Sequence, residues 1–329
     1  NFAERITNQE KEENFYNSSP AISPNGKMMA YISAPDGIYS IMIRSIEDKK
    51  KPAEKLISSF RQQDFEDLNI LTPGISWNPE GNKLAISAKS GGEDAIFLVD
   101  IKTGKYEKIL LGLKSITSVN WSHDGKNLAF VGSAKGQSDI YIYDLSKKTL
   151  QNITDDFFSD AHPLWSHDNK FIYFISDRGS ADKTNGKISG YEIWNHEYNT
   201  TDIFKIDLTS LTTHRITYTP NNNKTSFALS SDDNFIIYTS DENGILNLYK
   251  LSLKEKDAQP IPITNSLTGI TQISISNDDS KLLFSTLIEG SYDIFLMRYP
   301  FDKKLDFNTL PLTKFQEKTL QKKNKAYKI

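Results

Sequence analysis

His162 and His196 are the histidines whose neighbours suit chemistry: Asp160 lies two residues before the first and Glu197 directly follows the second. An imidazole beside a carboxylate can serve as a general base or join a metal shell. A metal site needs three or four convergent ligands, and a linear sequence shows spacing rather than convergence. The acidic runs Glu12-Glu13, Asp64 with Glu66-Asp67, and Asp155-Asp156 supply oxygen ligands that suit calcium, but no twelve-residue EF-hand loop frames them. The expectation is therefore no cofactor, with calcium as the one metal these loops would favour.

The usual enzyme signatures are absent from the sequence. Gly136-Gln137-Ser138-Asp139-Ile140 lacks the last glycine of a nucleophile elbow, and His196-Glu197-Tyr198-Asn199-Thr200 lacks the second histidine of the zinc-helix motif. Gly104-Lys105-Tyr106 and Gly125-Lys126-Asn127 lack the hydroxyl residue that a phosphate loop sets on magnesium. There is no cysteine, which excludes disulfides, thiolate metal sites and a cysteine nucleophile. Two carboxylates from separate loops meeting across a glycoside remain an open alternative.

The same acidic stretches hold aromatics: Phe15 and Tyr16, Phe65, Phe157 and Phe158, then Tyr191, Trp194 and Tyr198. Aromatic anchors with carboxylates suit a basic or extended peptide, and Trp194 suits a stacked sugar. They equally suit loops that pack themselves down. The candidate binding set is Phe15, Tyr16, Asp64, Phe65, Asp156, Phe158, Asp160, His162, Trp194, His196 and Tyr198.

What positions these loops is a repeat. A hydrophobic or tryptophan position, then Ser or Asn, then a polar turn recurs at Ile22-Ser23-Pro24-Asn25-Gly26, Trp77-Asn78-Pro79-Glu80-Gly81, Trp121-Ser122-His123-Asp124-Gly125, Trp165-Ser166-His167-Asp168-Asn169, Leu229-Ser230-Ser231-Asp232-Asp233 and Ile275-Ser276-Asn277-Asp278-Asp279. Asp-Gly between apolar runs signals a hairpin. In the third copy the turns delimit four strands, Val119–Ser122, Leu128–Ser133, Ile140–Leu145 and Leu150–Thr154. Four short antiparallel strands in about 45 residues make a propeller blade. The expected fold is all-β, a six-bladed β-propeller of four-stranded antiparallel blades near 20–60, 73–110, 117–154, 162–217, 226–264 and 271–313. Fourth strands are expected at Lys55–Phe60, Tyr106–Leu110, His214–Thr217, Ile261–Thr264 and Leu310–Thr313. Glu4-Arg5-Ile6-Thr7 matches that pattern with no strands before it, so it either closes the ring or is the remnant of a removed blade. Residues 314–329 carry six dispersed lysines and read as a basic tail, a short helix or a linker.

Trp77, Trp121 and Trp165 share one repeat position and are expected to pack between blades. His123 and His167 fall on turns and are expected to be exposed and inert. Long connections are Asn8–Ser19, Arg61–Thr72, Asp155–His162, Tyr218–Thr225 and Ser180–Thr201. These join strand four to one or strand two to three, so all emerge on one rim, where loops on a rigid scaffold usually bind.

The stretch Pro163-Leu164-Trp165-Ser166-His167-Asp168-Asn169, the strand after it, Ser176-Asp177-Arg178, and then Asp202-Ile203-Phe204 resembles the repeat of TolB-type propellers (PD40, WD40-like). The resemblance runs from residue 4 to 313. It implies a non-catalytic module of the bacterial cell envelope or periplasm that binds a protein or peptide over the channel. The same repeat implies two alternatives, the gating propeller of a prolyl-oligopeptidase-like peptidase and a carbohydrate-binding or carbohydrate-active propeller. A net charge of −3 gives no basic footprint for nucleic acid, and no apolar run reaches the ~18 residues of a membrane helix. The first residue is Asn and no export signal is visible, so the chain reads as a mature or excised piece, with a larger multidomain chain as one possibility.

Overall fold

Each copy of the repeat folds through one local circuit. The serine hydroxyl donates to the carboxylate or amide two residues on, in Ser23 to Asn25, Ser122 to Asp124, Ser166 to Asp168, Ser230 to Asp232 and Ser276 to Asp278, at 2.6 to 2.8 Å. The same oxygen accepts the backbone N–H that opens the next strand, as with Phe171 on Ser166 at 3.0 Å. Asn78 plays this part in the second copy. The fourth turn residue adopts positive φ in every copy: Gly26, Gly81, Gly125, Asn169, Asp233 and Asp279. Only Gly, Asn and Asp enter that region readily, which is why the sequence restricts the position to them.

The computed structural model describes residues 3–8, 14, 16–59, 64–68, 70, 74–134, 136–179, 183, 184, 187, 188, 196, 200–219, 222–306 and 309–326. Among the described residues, six antiparallel sheets follow in sequence order, each an up-and-down blade, and a separate two-stranded ladder pairs Lys183–Thr184 with Lys187–Ile188. Their innermost strands are Asn17–Ile22, Ile75–Trp77, Ser115–Trp121, Asp160–Trp165, Lys224–Leu229 and Ile270–Ile275. One core cluster fills each junction between neighbouring blades, including that between the sixth and the first. Because both faces of every sheet are covered, the middle strands are apolar on both sides, as in Leu282–Leu283–Phe284 of Lys281–Ile288. Trp77 and Trp165 lie in these junctions and donate their indole N–H to Ala21 O and Asn120 O of the preceding blade.

The ring closes through the N-terminus. Glu4–Arg5 pairs antiparallel with Leu296 and Phe295 on the outer edge of the sixth blade. The fourth strand expected there from Leu310–Thr313 does not form; that segment is irregular, and Leu310 packs with Tyr249 and Leu251 of the fifth blade. The difference lies in a threonine. Thr154, Thr217, Thr264 and Thr7 each donate to a residue near the start of the third strand of their blade (Asp139, Asp202, Asn247 and Asp293), at 2.7 to 3.3 Å. Each also accepts the next residue's N–H, from Ile140, Ile203, Leu248 and Ile294. Arg5 reinforces the seam with two hydrogen bonds to Asp293 Oδ2, as Arg215 does on Asp202. Thr313 makes no such pair, its N–H bonding Asn243 O instead. The last described element is a helix, Lys314–Ala326.

Candidate functional site

The inner strands do not run straight to the axis. Register breaks fall between Ser18 and Ala21, Thr117 and Asn120, Ala161 and Leu164, Lys224 and Phe227, and Thr271 and Ser274. Four of these bulges place a residue at positive φ: Ser19, Ser118, His162 and Gln272, between 52° and 55°. A bulge re-aims a side chain, and these four line the central channel, a cavity of about 220 Å³. Sequence reasoning found only His162 of the four; serines and a glutamine inside alternating strands carry no signal of a bulge.

The channel wall is stitched from blade to blade. Gln272 Oε1 accepts the Ser19 N–H at 2.8 Å, Ser274 Oγ that of Ile22, Ser76 Oγ that of Trp121, Asn120 Oδ1 that of Trp165, and Ser226 Oγ that of Ile273. His162 packs edge-on against Phe227 at 5.4 Å, and burial pulls its pKa down to about 4, so the imidazole is neutral at physiological pH. The lining thus mixes these polar groups with apolar side chains such as Ile22, Trp77 and Phe227, and holds no Asp, Glu, Lys or Arg.

At the short-turn end of the channel sit His123 and His167. Expected to be exposed and inert, they instead stack with ring centroids 4.2 Å apart and are half-buried. His167 Nδ1 lies 2.9 Å from Asp233, which also accepts the His167 backbone N–H. Burial, then the neighbouring His167, holds His123 below the usual imidazole range. At five of the six junctions the turns here obey a rule between neighbours; at the sixth, Asn277 carries an N–H but the first blade presents Gly26. Where the second turn residue is proline (Pro24, Pro79), the next blade presents glycine (Gly81, Gly125), and a side chain there would meet the proline ring. Where it carries an N–H (His123, His167, Ser231), the next blade presents Asn169, Asp233 or Asp279, which accepts it.

The remaining loop candidates do not converge. Phe65 and Phe158 are fully buried, so they hold their loops down instead of facing a partner; Phe65 meets Phe97 at 5.0 Å. Asp64 is paired with Lys108 at 2.5 Å. Tyr16 sits edge-on to Tyr39 and Tyr292, and its hydroxyl donates to Ile70 O. Phe15, Trp194 and Tyr198 lie outside the described residues.

Asp156, Asp160, Phe158 and His196 do come together, around Arg178. The guanidinium is fully buried, with Asp156 at 3.1 Å, Asp160 at 2.7 Å and Ser176 Oγ at 3.0 Å. It lies 5.0 to 5.5 Å from the ring centroids of Phe158, Phe174 and Phe204. Burial pushes the Asp160 carboxyl upward against the pull of Arg178. Asp139, Asp156 and Asp160 present oxygens within 4.8 Å of one another, a spacing suited to a cation. Arg178 supplies that positive charge, while Asn152 and Thr154 donate to Asp139. His196 caps the cluster, its Nε2 at 3.3 Å from Asp177. These carboxylates are engaged in holding the third and fourth blades together.

Residues 66–184 match the family model described as the TolB beta propeller domain, PD40. No curated protein sequence is significantly similar to the chain. Among solved structures it is similar to TolB from Acinetobacter baumannii, at 20% identity and a TM-score of 0.58, over 83% of this chain. It spans 64% of that protein's length. An oligogalacturonate lyase in complex with manganese superposes over 89% of this chain and 92% of its own, at 13% identity and a TM-score of 0.58. The β-propeller domain of the Trilobed protease from Pyrococcus furiosus, described as having an open velcro topology, covers 89% of this chain and 99% of its own at 15% identity and a TM-score of 0.55. At these identities the likeness is one of fold.

Proposed function

We propose, for a chain that carries the PD40 repeat of the TolB β-propeller, that it is a non-catalytic binding module of the bacterial cell envelope, receiving an extended protein segment in its central channel. The observation that carries this reading is the ring of bulged inner strands. It turns Ser19, Ser118, His162 and Gln272 toward a channel of about 220 Å³, enough for one or two side chains and too small for a folded domain. The charged groups around the rim support a binding role over a catalytic one. Asp156 and Asp160 are tied to Arg178, and Asp64 to Lys108, so these carboxylates are held by cations and are poorly placed to act as a general acid or base. The envelope location rests on the likeness to TolB.

Selection from a random twelve-residue peptide library tests it. Peptides that bind the wild-type chain should lose at least tenfold in affinity against His162→Trp, which fills the channel, and keep it against Lys147→Ala at the outer edge of the third blade, away from the channel lining. Binding that survives His162→Trp in a protein of unchanged melting temperature would place recognition elsewhere and sink the proposal.

A further inference from the structure

A second cavity lies in the outer part of the junction between the fourth and fifth blades and shares no lining residue with the channel. Its volume is about 1170 Å³, within reach of the usual size of small-molecule sites. One wall is the stacked pair Tyr238 and Tyr249, with centroids 5.9 Å apart. Another is the C-terminal segment through Leu310 and Leu312. Tyr218, Ile261 and Leu312 are exposed at its rim, an unusual concentration of large apolar side chains in water.

Two polar atoms in this lining have no hydrogen-bond partner. They are the hydroxyl of Tyr238, a fully buried side chain, and Oε1 of Glu242. Buried groups of this kind are normally satisfied, and those that are not await a water, an ion or a ligand. The neighbouring cations are already committed. Arg215 is held on Asp202 and lies 4.1 Å from the Tyr218 ring centroid, and Lys224 is paired with Asp202 at 3.5 Å and with the Thr219 hydroxyl. Burial holds the Glu242 carboxyl above its ordinary range, against the pull of Lys224. Glu255 and Asp257 add further carboxylates to the lining, while Lys254 and Lys256 of the same turn do not contribute to it. Apolar side chains of Leu251, Leu253 and Ala258 line the same cavity.

We infer that this cavity binds a primary ammonium carried on an aliphatic stem, either a free amine or a lysine side chain, with Glu242 and the Tyr238 hydroxyl accepting the head and Leu251, Leu253 and Leu310 covering the stem. The ammonium donates three hydrogen bonds and carries a positive charge, so it satisfies both orphan acceptor atoms at once.

Titration of the full chain with hexylamine, 1-hexanol and hexanoate, followed by tyrosine ring chemical shifts, tests this. Hexylamine should bind at least tenfold more tightly than either isostere and shift Tyr238 and Tyr249. Glu242→Gln should erase that preference, and Ile261→Trp, at the half-open rim, should block all binding in a protein that needs no change at the buried pair. A Gly-Lys-Gly peptide binding more tightly than hexylamine identifies a lysine side chain as the source, and the reverse identifies a free amine. Equal binding of the three hexyl compounds, binding of none, or an amine preference that survives Glu242→Gln overturns the inference. None of these outcomes bears on the channel.

Discussion

Replacing Arg178 with methionine isolates what the buried cluster contributes. The substitution keeps an unbranched stem among Phe158, Phe174 and Phe204 but leaves Asp156 and Asp160 facing each other with no cation. Breaking a buried ion pair from one side costs roughly 3–5 kcal/mol, since the uncompensated charge stays behind. Unfolding entropy of about 2.1 cal/mol/K per residue comes to roughly 0.7 kcal/mol/K for this chain, so the melting temperature should fall by about 4–7 °C at pH 7. The deficit should shrink on acidification. With the guanidinium gone, burial and the neighbouring carboxylate raise the folded pKa of Asp160 further above its unfolded value. The folded state then takes up the proton more readily than the unfolded one, and the lost stability returns as pH falls from 7 toward 4. Adding Asp160→Asn should recover most of the loss at pH 7, although the same change costs stability when Arg178 is present. Calorimetry at pH 7 and pH 5 decides. A drop of the same size at both pH values, or no drop at all, would mean that the cluster does not owe its stability to the charge pairing.

The closing strand and the turn rule give two further tests. Thr7→Val removes both the hydrogen bond to Asp293 and the acceptor for Ile294 N–H, a loss of about 1–3 kcal/mol. It should appear as faster amide exchange at Ile294 and Leu296 with little change in the third blade, whereas uniform acceleration would show that closure is not a local seam. Asp233→Gly and His167→Pro should each destabilise, while the pair together, copying Pro79 with Gly125, should recover about 1–2 kcal/mol relative to the sum of the singles in urea unfolding; additive effects would refute the rule.

Much of the architecture was legible because each turn writes its own hydrogen-bond circuit in one or two residue types. Ser166 and Asp168 specify a tight turn wherever they occur together, and six copies at similar spacing specify a ring. The closing strand was half legible. Glu4-Arg5-Ile6-Thr7 and Leu310-Pro311-Leu312-Thr313 both carry the apolar-threonine ending, and only the pairing partner distinguishes them: Asp293 stands opposite Thr7, whereas Thr313 is drawn to Asn243 by a segment that crosses the fifth blade. The candidate site was less legible. Phe65 and Phe158 combine loop position with aromatic character, properties shared by a binding anchor and a packing anchor; which one results depends on neighbours such as Phe97 and Arg178 that arrive from other strands. His123 and His167 stand 44 positions apart in sequence and stack only because consecutive turns meet at the channel end.

Several carboxylates in this molecule are committed to assembly. Asp139, Asp202 and Asp293 lock outer strands, Asp233 and Asp279 lock neighbouring turns, and Asp156 with Asp160 locks Arg178. A carboxylate already held by a buried donor gives little to an incoming partner, because recruiting it means breaking the contact it has. Selectivity at the channel therefore has to come from shape and from neutral groups, the hydroxyls of Ser19 and Ser118, the Gln272 amide and an imidazole that burial keeps unprotonated. On the proposed binding role, such a surface should discriminate among extended segments by side-chain size and hydrogen-bonding pattern, and its affinity should change little with salt, in contrast to a rim of free carboxylates that would recruit basic partners and release them as ionic strength rises.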